Sequence, residues 1–302
     1  MPRLFVKDVS RRRNTSTDMR QAQTREQLWA VVRNWRRVGQ KIALVPTMGN
    51  LHDGHLALVA SARGHADRVI TSIFVNPTQF GEGEDFDLYP RTLEQDQRLL
   101  EAAHCDLVFT PNQQTVYPGG LKDTTRILAA PSLANQLEGA TRPGHFDGVV
   151  TVVARLFNLV GPDVAVFGEK DYQQLLVIRR MVEDLGYPVQ IASVPTVRSP
   201  RGLALSSRNR YLDDVQRTAA EQLNKVLDAA VDRMLAAPED RLALEQEARE
   251  HLEREGLRVD YLTVRRAQDL AEPGEDDRDL RIMAAVWCGR ARLIDNLPCT
   301  LS

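Results

Sequence analysis

The sequence lacks any hydrophobic run long enough to cross a membrane, because every apolar stretch falls well short of the roughly 20 residues that a spanning helix needs. It also lacks an excess of charge of one sign. Its 302 residues include 39 basic and 41 acidic side chains, which give a formal net charge of −2. Nucleic-acid-binding proteins usually carry a general basic field that this balance excludes. We therefore expect a soluble protein with no membrane partner and no nucleic-acid partner.

Cysteine is scarce as well, and several common catalytic signatures are missing. Cys105, Cys288 and Cys299 are widely spaced and form neither a zinc pattern nor a disulfide framework, which predicts a protein of the reducing cytoplasm. The sequence has no P-loop lysine motif and no Gly-x-Gly-x-x-Gly, so the kinase and dehydrogenase classes lack their markers. No Ser/His/Asp set indicates hydrolysis, and no His/Cys cluster indicates a catalytic metal site.

The sequence does contain a regular alternation of short apolar runs with helical segments. Strands are predicted at 42–45, 68–75, 106–109, 164–167 and 189–194. Helices are predicted at 24–39, 56–62, 92–103, 149–160 and 172–185. This alternation predicts an α/β fold with a Rossmann-like, doubly wound parallel sheet over residues 19–196.

The pattern changes after Pro195. Two long amphipathic helices are predicted at 214–236 and 241–255, and strands are predicted at 259–264 and 280–286. These elements predict a smaller α+β domain over residues 197–302. Residues 1–18 have several basic and few apolar side chains, so we expect a flexible basic tail there.

The most informative segment holds His52 and His55 between the strand at 42–45 and the helix at 56–62. We expect Pro46 and Gly49 to end the strand, which places both histidines at or near a helix N-terminus. Free backbone N–H groups and the helix dipole attract phosphate there, and imidazoles can donate hydrogen bonds to a polyphosphate. Taken alone, the segment is equally well explained as a helix cap with two surface histidines.

Further polar segments follow other strands. Lys170 lies in the stretch Gly168-Glu169-Lys170-Asp171, directly after the strand at 164–167, where a lysine is a good phosphate ligand. Ser206, Ser207 and Arg208 offer two hydroxyls and a guanidinium, a group that suits a triphosphate. The alternatives are a capped helix with an exposed Lys170 and an ordinary helix-cap loop at 206–208.

Two glutamines indicate a second ligand. Gln79 follows the predicted strand at 68–75, and Gln174 lies one turn into the helix at 172–185. Their neutral amides offer donors and acceptors that suit a small substrate with hydroxyl and carboxylate groups, although either residue alone is compatible with an ordinary surface glutamine. Because ligands of doubly wound sheets bind at the carboxyl ends of the strands, we expect all these segments to meet.

Seven segments, in the same order, carry a resemblance to one family. They are 45–55, 74–80, 89–92, 142–149, 167–174, 202–209 and 292–296. From about residue 19 to the end, the sequence resembles the pantothenate synthetases (pantoate–β-alanine ligases), which belong to the HIGH-type nucleotidyltransferase superfamily. The resemblance implies a Rossmann-like domain with a smaller C-terminal lid domain, and a homodimer. It also implies a two-step reaction: pantoate and Mg-ATP give pantoyl adenylate and pyrophosphate, and β-alanine then displaces AMP to give pantothenate.

The resemblance also implies roles for individual residues. The catalytic residues would be His52, His55, Lys170 and Arg208, with His55 as a proton donor. Gln79 and Gln174 would hold pantoate, and Gln79 would border the β-alanine site. The ATP site would be formed by Met48, Gly49, Asn50, Leu51, His52, Asp53, Gly54, His55, Gly168, Glu169, Lys170, Asp171, Val197, Leu205, Ser206, Ser207 and Arg208.

One position departs from the family pattern, and two alternative functions compete with the one that the resemblance implies. Arg201 stands where the family usually has an aspartate. The sequence does not identify the Mg²⁺ ligands, for which Asp96 is only a guess. The alternatives are another HIGH-type nucleotidyltransferase that makes a dinucleotide, and a catalytically silent nucleotide-binding or scaffold protein. Gln79 and Gln174 argue against the first alternative, and the intact cationic and histidine side chains argue against the second.

Overall fold

The computed structural model describes residues 19–81, 83–84 and 86–302, and the predicted basic tail at 1–18 lies outside the described residues. The strands are β1 (Arg20–Ala22), β2 (Ile42–Thr47), β3 (Arg68–Ile73), β4 (Leu107–Phe109), β5 (Val164–Gly168), β6 (Gln190–Val194), β7 (Arg258–Arg266), β8 (Asp279–Cys288) and β9 (Ala291–Thr300). The helices are α1 (Arg25–Arg37), α2 (Asp53–His65), α3 (Leu93–Ala102), α4 (Gln113–Val116), α5 (Pro131–Ala134), α6 (Glu138–Thr141), α7 (His145–Val160), α8 (Tyr172–Leu185), α9 (Asp214–Ala236) and α10 (Arg241–Arg254). All ten predicted helices and strands of the first 196 residues are therefore confirmed, with small shifts at their ends.

Six parallel strands form the larger sheet in the order β1-β4-β3-β2-β5-β6. From β2 the chain moves outward through β3 and β4, and it then returns to place β5 on the other side of β2. The carboxyl ends of β2 and β5 therefore lie side by side where the strand order reverses. Doubly wound sheets bind their ligands in the crevice at such a point.

Successive residues of the strands face two different helical layers, because side chains alternate between the faces of a sheet. In β2, Ile42 and Leu44 pack in the core formed with α1, α7 and α8. Their neighbours Ala43 and Val45 pack in a second core with α2 and α3. Helices thus cover both faces of the sheet, as the doubly wound prediction required.

The expectation that Pro46 ends the first strand was wrong, since β2 continues to Thr47. Pairing between β2 and β5 is confined to Ala43 and Leu44 of β2, whereas pairing with β3 runs from Ile42 to Thr47. Pro46 has no N–H to donate. It lies beyond the last residue of β2 that pairs with β5, so the sheet loses no hydrogen bond there.

The C-terminal part has a separate three-stranded antiparallel sheet in the order β7-β8-β9, covered by α9 and α10. It has its own hydrophobic core, which includes Leu223, Leu227, Leu252, Ile282 and Val286. The sequence analysis missed β9, whose alternation is interrupted by Asp295, Asn296 and Pro298. Within the part of the chain that the structure describes, no helix is both long enough and apolar enough to span a membrane.

Candidate active site

The two histidines lie at the first turn of α2, as predicted. His52 is the N-cap residue, and its Nδ1 accepts a hydrogen bond from the Gly54 N–H at 3.2 Å. The Nδ1 of His55 accepts a hydrogen bond from the His52 N–H at 3.3 Å, so the two rings form a reciprocal cap. Their centroids are 4.2 Å apart. The cap satisfies backbone donors that a helix N-terminus otherwise leaves unpaired.

The same two hydrogen bonds fix the protonation of the rings. Because both Nδ1 atoms accept, a neutral ring must carry its hydrogen on Nε2. Burial, and secondarily the neighbouring His52, lowers the pKa of His55 to about 3. Burial, and secondarily Lys170, lowers the pKa of His52 below its usual value. Near neutral pH the pair therefore consists of uncharged Nε2–H donors.

The loop between β2 and α2 is held by a buried carboxylate. Oδ2 of Asp96 accepts a hydrogen bond from the Asn50 N–H at 2.9 Å, and Oδ1 accepts one from the Leu51 N–H at 2.8 Å. Thr92 donates to Oδ1 as well. Gly49 and Asn50 have φ values of +83° and +51°, a region that favours glycine, so the loop needs this support. Asp96, suggested by the sequence as a Mg²⁺ ligand, instead has both oxygens committed to the loop.

The second wall of the site follows β5. Lys170 lies in the 3₁₀ turn Glu169–Asp171, and its Nζ is 3.7 Å from Oδ1 of Asp171. The carboxylate of Glu169 turns away from the cavity and pairs with Arg281 at 2.9 Å. The side chain of Asn296 donates to the backbone carbonyl oxygens of Glu169 and Lys170 at 3.0 and 2.9 Å. Asn296, one of the polar residues that interrupt β9, therefore holds the lysine turn in place.

The serine–arginine loop approaches from the C-terminal part. Oγ of Ser206 accepts a hydrogen bond from the Arg208 N–H, and the Leu205 N–H donates to the carbonyl oxygen of Val197 at 2.9 Å. The side chain of Arg201 is 74 % exposed and lies 3.5 Å from the carboxylate of Glu221 in α9. Arg201 therefore points along α9, and it is not among the residues that line the cavity described below.

Gln79 ends a 3₁₀ turn after β3, and its amide is oriented by a buried asparagine. Oε1 of Gln79 accepts from Nδ2 of Asn76 at 3.2 Å, and Nε2 of Gln79 is 3.1 Å from Sδ of Met48. The Oδ1 of Asn76 accepts in turn from the hydroxyl of Tyr117 at 2.8 Å. The hydrogen-bond donors of Gln79 are thereby presented beside the β2 loop.

These segments enclose one cavity of about 250 Å³ at the carboxyl ends of the strands. The sequence-predicted site residues that line it are Met48, His52, Gly54, His55, Gln79, Gly168, Lys170, Asp171, Gln174, Val197, Leu205, Ser206, Ser207 and Arg208. The remaining candidates, Gly49, Asn50, Leu51, Asp53 and Glu169, are not in contact with it. The cavity has apolar residues of α7 on one side, including Val149, Val152 and Val153.

A larger cleft of about 870 Å³ lies between the two sheets. The residues that line both the cleft and the cavity are Arg142, His145, Lys170, Asp171, Gln174, Ser206 and Arg208. Two ion pairs and one hydrogen bond to a carboxylate cross between the two parts of the chain near this cleft. Arg292 of β9 binds both carboxylate oxygens of Glu138, at 2.6 and 2.9 Å, and Tyr261 of β7 donates to the same carboxylate. Arg281 of β8 pairs with Glu169. The C-terminal part is thus fastened over the site.

Sequence reasoning assigned no role to three residues that shape the site: Asn76, Arg142 and His145. The Asn-Pro pair at the end of β3 was a usable signal, because asparagine there caps a turn. Arg142 and His145 belong to a segment of the family resemblance, but their partners lie more than 50 residues away in the sequence. Only the folded chain brings them to Gln79.

Comparison with known proteins gives a consistent result. Residues 20–298 match the family model for pantoate–β-alanine ligase. The chain is 55 % identical over 283 residues to pantothenate synthetase from Thioalkalivibrio sulfidiphilus, covering 94 % of this chain and 99 % of that one. It is 50 % identical to the Pseudomonas savastanoi pv. phaseolicola enzyme of the same name, covering 94 % and 100 % of the two chains.

Solved structures agree with the sequence matches. Pantothenate synthetase from Thermus thermophilus superposes with a TM-score of 0.84 at 46 % identity, over 92 % of this chain and 99 % of that one. Pantoate–β-alanine ligase from Francisella tularensis, crystallised in complex with beta-gamma ATP and β-alanine, gives a TM-score of 0.78 at 35 % identity, over 93 % and 97 % of the two chains. The chain therefore belongs to the pantoate–β-alanine ligase family.

Proposed function

We propose that this protein joins pantoate to β-alanine at the expense of ATP, by way of a pantoyl adenylate. The observation that carries the proposal is the convergence on one cavity of two kinds of groups. Lys170, Arg208 and the paired histidines suit a triphosphate, whereas Gln79 and Gln174 suit a small hydroxy acid. A protein that only binds a nucleotide has no need for Gln79 and Gln174 at the same cavity.

The first step activates a carboxylate. An oxygen of the pantoate carboxylate attacks the α-phosphorus of ATP, the bond to the bridging oxygen breaks, and pyrophosphate leaves. Positioning and charge stabilisation do most of the work in such a step. The neutral Nε2–H groups of His52 and His55 donate to phosphate oxygens, and Lys170 and Arg208 supply positive charge. His55 acts as a proton donor only if bound phosphate raises its pKa from about 3.

The second step forms the amide. The free amine of β-alanine attacks the acyl carbon of the adenylate, and the bond from that carbon to the phosphate oxygen breaks. AMP leaves with that electron pair, and the nitrogen releases its extra proton to water. The larger cleft gives β-alanine room to approach from the side of Gln174. An acyl adenylate hydrolyses in water, so the C-terminal part over the site protects it. We propose residues 19–196 as the substrate domain and 197–302 as the lid domain.

Pantoate fits the cavity in two ways. Its carboxylate and hydroxyls match the amides of Gln79 and Gln174. Its two methyl groups match the apolar wall that α7 contributes through Val149, Val152 and Val153. Burial of methyl groups against such a wall is worth about 0.8 kcal/mol per carbon. Together the two contacts select a branched hydroxy acid over a nucleotide base.

Mg²⁺ enters in this proposal as part of the substrate, Mg-ATP. Within the described residues, no cluster of three or more His, Cys, Asp or Glu side chains could hold a metal ion. Asp171 is the acidic side chain among them that lines the cavity. Mg²⁺ commonly binds phosphate oxygens, waters and one or two carboxylates. A cavity that offers the carboxylate of Asp171 therefore fits an ion carried mainly by ATP. When bound, the ion neutralises charge on the leaving pyrophosphate.

We further propose a cytoplasmic homodimer. The family resemblance supports the dimer, and the three buried cysteines, none in a disulfide, suit a reducing compartment. Sedimentation of the purified protein at micromolar concentration tests the assembly. A monomer at those concentrations would remove this part of the proposal without affecting the reaction.

Isotope exchange between ATP and pyrophosphate tests the reaction. We expect exchange that requires pantoate and does not require β-alanine, followed by AMP and pantothenate formation when β-alanine is added. Exchange that depends on β-alanine would contradict the adenylate. Dinucleotide formation from a mononucleotide would favour the alternative HIGH-type nucleotidyltransferase, and ATP binding without any exchange would favour a catalytically silent protein.

A further inference from the structure

We infer that His145, Arg142 and Glu84 form a positioning relay that sets Gln79 for the adenylation step. This inference deepens the proposed function and rests on it. None of the three has a role in the reaction as described so far. Gln79 is the residue through which they act, and its peptide carbonyl, not its side chain, is the point of contact.

The relay is a continuous chain of hydrogen bonds. Nδ1 of His145 lies 2.8 Å from the carbonyl oxygen of Gln79, and Nη2 of Arg142 lies 3.3 Å from the same oxygen. Nη1 of Arg142 lies 3.1 Å from Nε2 of His145. Glu84 binds Arg142 with both carboxylate oxygens, at 2.7 and 2.5 Å. A bidentate pair of this kind fixes the plane of the guanidinium.

The partners determine the state of His145. A carbonyl oxygen only accepts, so Nδ1 carries the hydrogen that binds Gln79. Arg142 only donates, so Nε2 of His145 must be the acceptor, and the ring is neutral. Burial, and secondarily the positive charge of Arg142, lowers the pKa of His145 to about 4, which keeps the ring in this state at neutral pH. The geometry and the charge therefore require the same tautomer.

Gln79 needs such a relay because its own turn holds it weakly. The 3₁₀ turn Pro77–Gln79 has three residues, and the Gln79 N–H reaches the Asn76 carbonyl at 3.5 Å. Gly148 of α7 packs directly below, where an added Cβ would lie 2.2 Å from the Thr78 carbonyl oxygen. The backbone of Gln79 is thus located by α7, through Gly148 beneath it and His145 beside it.

Two fixed points define the direction of the Gln79 amide. At the side-chain end, Nδ2 of Asn76 donates to Oε1 of Gln79, and the relay fixes the backbone end. Loss of the relay frees the backbone end while the side-chain contact remains. A shift of about 1 Å at a substrate-holding group is enough to lower the rate of a positioned reaction substantially.

The test measures ATP–pyrophosphate exchange with pantoate in the absence of β-alanine. We expect His145→Ala to raise the KM for pantoate about 10-fold, the effect of one lost buried hydrogen bond, with the KM for ATP nearly unchanged. His145→Asn should recover most of this loss, because the asparagine Nδ2 lies close to the position of the histidine Nδ1 and can donate to Gln79. Arg142→Gln should resemble His145→Ala.

A double-mutant cycle separates positioning from direct contact. If His145 acts through Gln79, the double variant Gln79→Ala/His145→Ala should be no worse than Gln79→Ala alone. Additive losses would show that His145 touches the substrate itself. A normal exchange reaction with a raised KM for β-alanine alone would assign the relay to β-alanine binding. Either result overturns the inference.

A matched control variant separates the loss of the relay from a general loss of stability. Arg68→Gln breaks the ion pair with Asp106, which is as exposed as the Arg142–Glu84 pair but lies at the amino end of β3. It should lower stability without changing the KM for pantoate. An unchanged KM in His145→Ala would refute the relay, whereas wild-type protein without any exchange would refute the proposed function instead.

Discussion

At the scale of single residues, the proposed function gives His52 and His55 a chemical task in addition to the structural one. Their Nδ1 atoms cap α2, which leaves the Nε2–H groups outside the cap, and both residues line the cavity. A helix cap and the proposed polyphosphate site would therefore use different nitrogens of the same rings. The two interpretations that the sequence left open, a cap and a phosphate site, do not exclude each other.

We predict that His55→Ala lowers the rate of ATP–pyrophosphate exchange by about 10² to 10³, the loss typical for one donor to developing charge. The variant His55→Asn keeps an acceptor for the His52 N–H and so serves as a control for the cap. His55→Asn should lower the exchange rate as much as His55→Ala does, but its free energy of unfolding in urea should be closer to that of wild type. An alanine variant with near-normal exchange would remove His55 from the mechanism.

The buried histidines should also make stability depend on pH. The unfolded chain binds a proton on each near pH 6.5, whereas folded His55 and His145 stay neutral down to about pH 3 and 4. Because the unfolded state then binds more protons, stability is complete above pH 6.5 and falls as the pH drops below it. Each of these two histidines should lower the free energy of unfolding by about 1 to 2 kcal/mol between pH 6.5 and 5.

Urea unfolding at these two pH values measures this loss. His55→Asn and His145→Asn remove the titrating rings while retaining the hydrogen bond that each makes through Nδ1. Each single variant should lose less stability on acidification than wild type does, and the double variant less still. Identical pH dependence in all four proteins would contradict the neutral state of the rings.

Asp96 offers a different kind of prediction. Asp96→Ala leaves the buried N–H groups of Asn50 and Leu51 without their acceptor, so it should cost about 1 to 3 kcal/mol per group in stability. ATP affinity should fall because the loop before α2 loosens. The Mg²⁺ concentration that gives half-maximal activity should stay unchanged, and a large shift in it would restore Asp96 as a metal ligand.

At the scale of elements, the close packing of α7 on the Pro77–Gln79 turn governs the site. Gly148→Ala would place its Cβ 2.2 Å from the Thr78 carbonyl oxygen and 2.7 Å from the Gln79 Cα. We predict a raised KM for pantoate and a loss of stability of about 1 to 3 kcal/mol, the usual cost of overpacking. Enzyme kinetics and urea unfolding measure both effects.

Gly64 of α2 is the matched control, since it is also helical but an added Cβ would meet nothing within 4 Å. Gly64→Ala should leave activity unchanged and stabilise the protein by about 0.5 to 1 kcal/mol through helix propensity. If Gly148→Ala behaved like Gly64→Ala, the turn would be free to move and its position would not matter for pantoate binding.

At the scale of the whole molecule, partly buried ion pairs join the two parts of the chain. Arg292 is 14 % exposed and binds Glu138 across the two parts and Asp260 within the C-terminal part. Arg292→Met removes the cation from both carboxylates and leaves Glu138 only its hydrogen bond from Tyr261, so we predict a loss of about 1 to 3 kcal/mol in stability. Because the C-terminal part then covers the adenylate less well, AMP formation with pantoate but without β-alanine should rise relative to pantothenate synthesis.

Arg233→Met controls for the loss of an arginine. Arg233 pairs with Glu247 inside the C-terminal part, and both side chains are more than a third exposed. An exposed pair contributes about 0 to 1 kcal/mol, so this variant should unfold and turn over nearly as wild type does. Equal uncoupled AMP formation in both variants would mean that the Arg292 contacts do not hold the lid.

The sequence by itself determined the local structure. The apolar periods of strands and helices, with Thr24 as a cap for α1 and glycines at turns, specify the parallel sheet and the histidine turn. These signals are local, because hydrogen bonding and burial repeat every two or about four residues. The strand β9 was missed because Asp295 and Asn296 are polar yet buried, and the Asp295 carboxylate and the Asn296 Nδ2 bind partners that are distant in the sequence.

Only the tertiary structure decided how the site works. Asp96 reaches a loop 45 residues earlier, His145 reaches Gln79 across 66 residues, and Arg292 reaches Glu138 across 154. The distant carbonyl of Gln79 places the hydrogen of His145 on Nδ1, and the fold likewise brings the exposed Arg201 close to Glu221. Hydrogen bonds depend on distances of about 3 Å in space, and separation along the chain does not determine those distances.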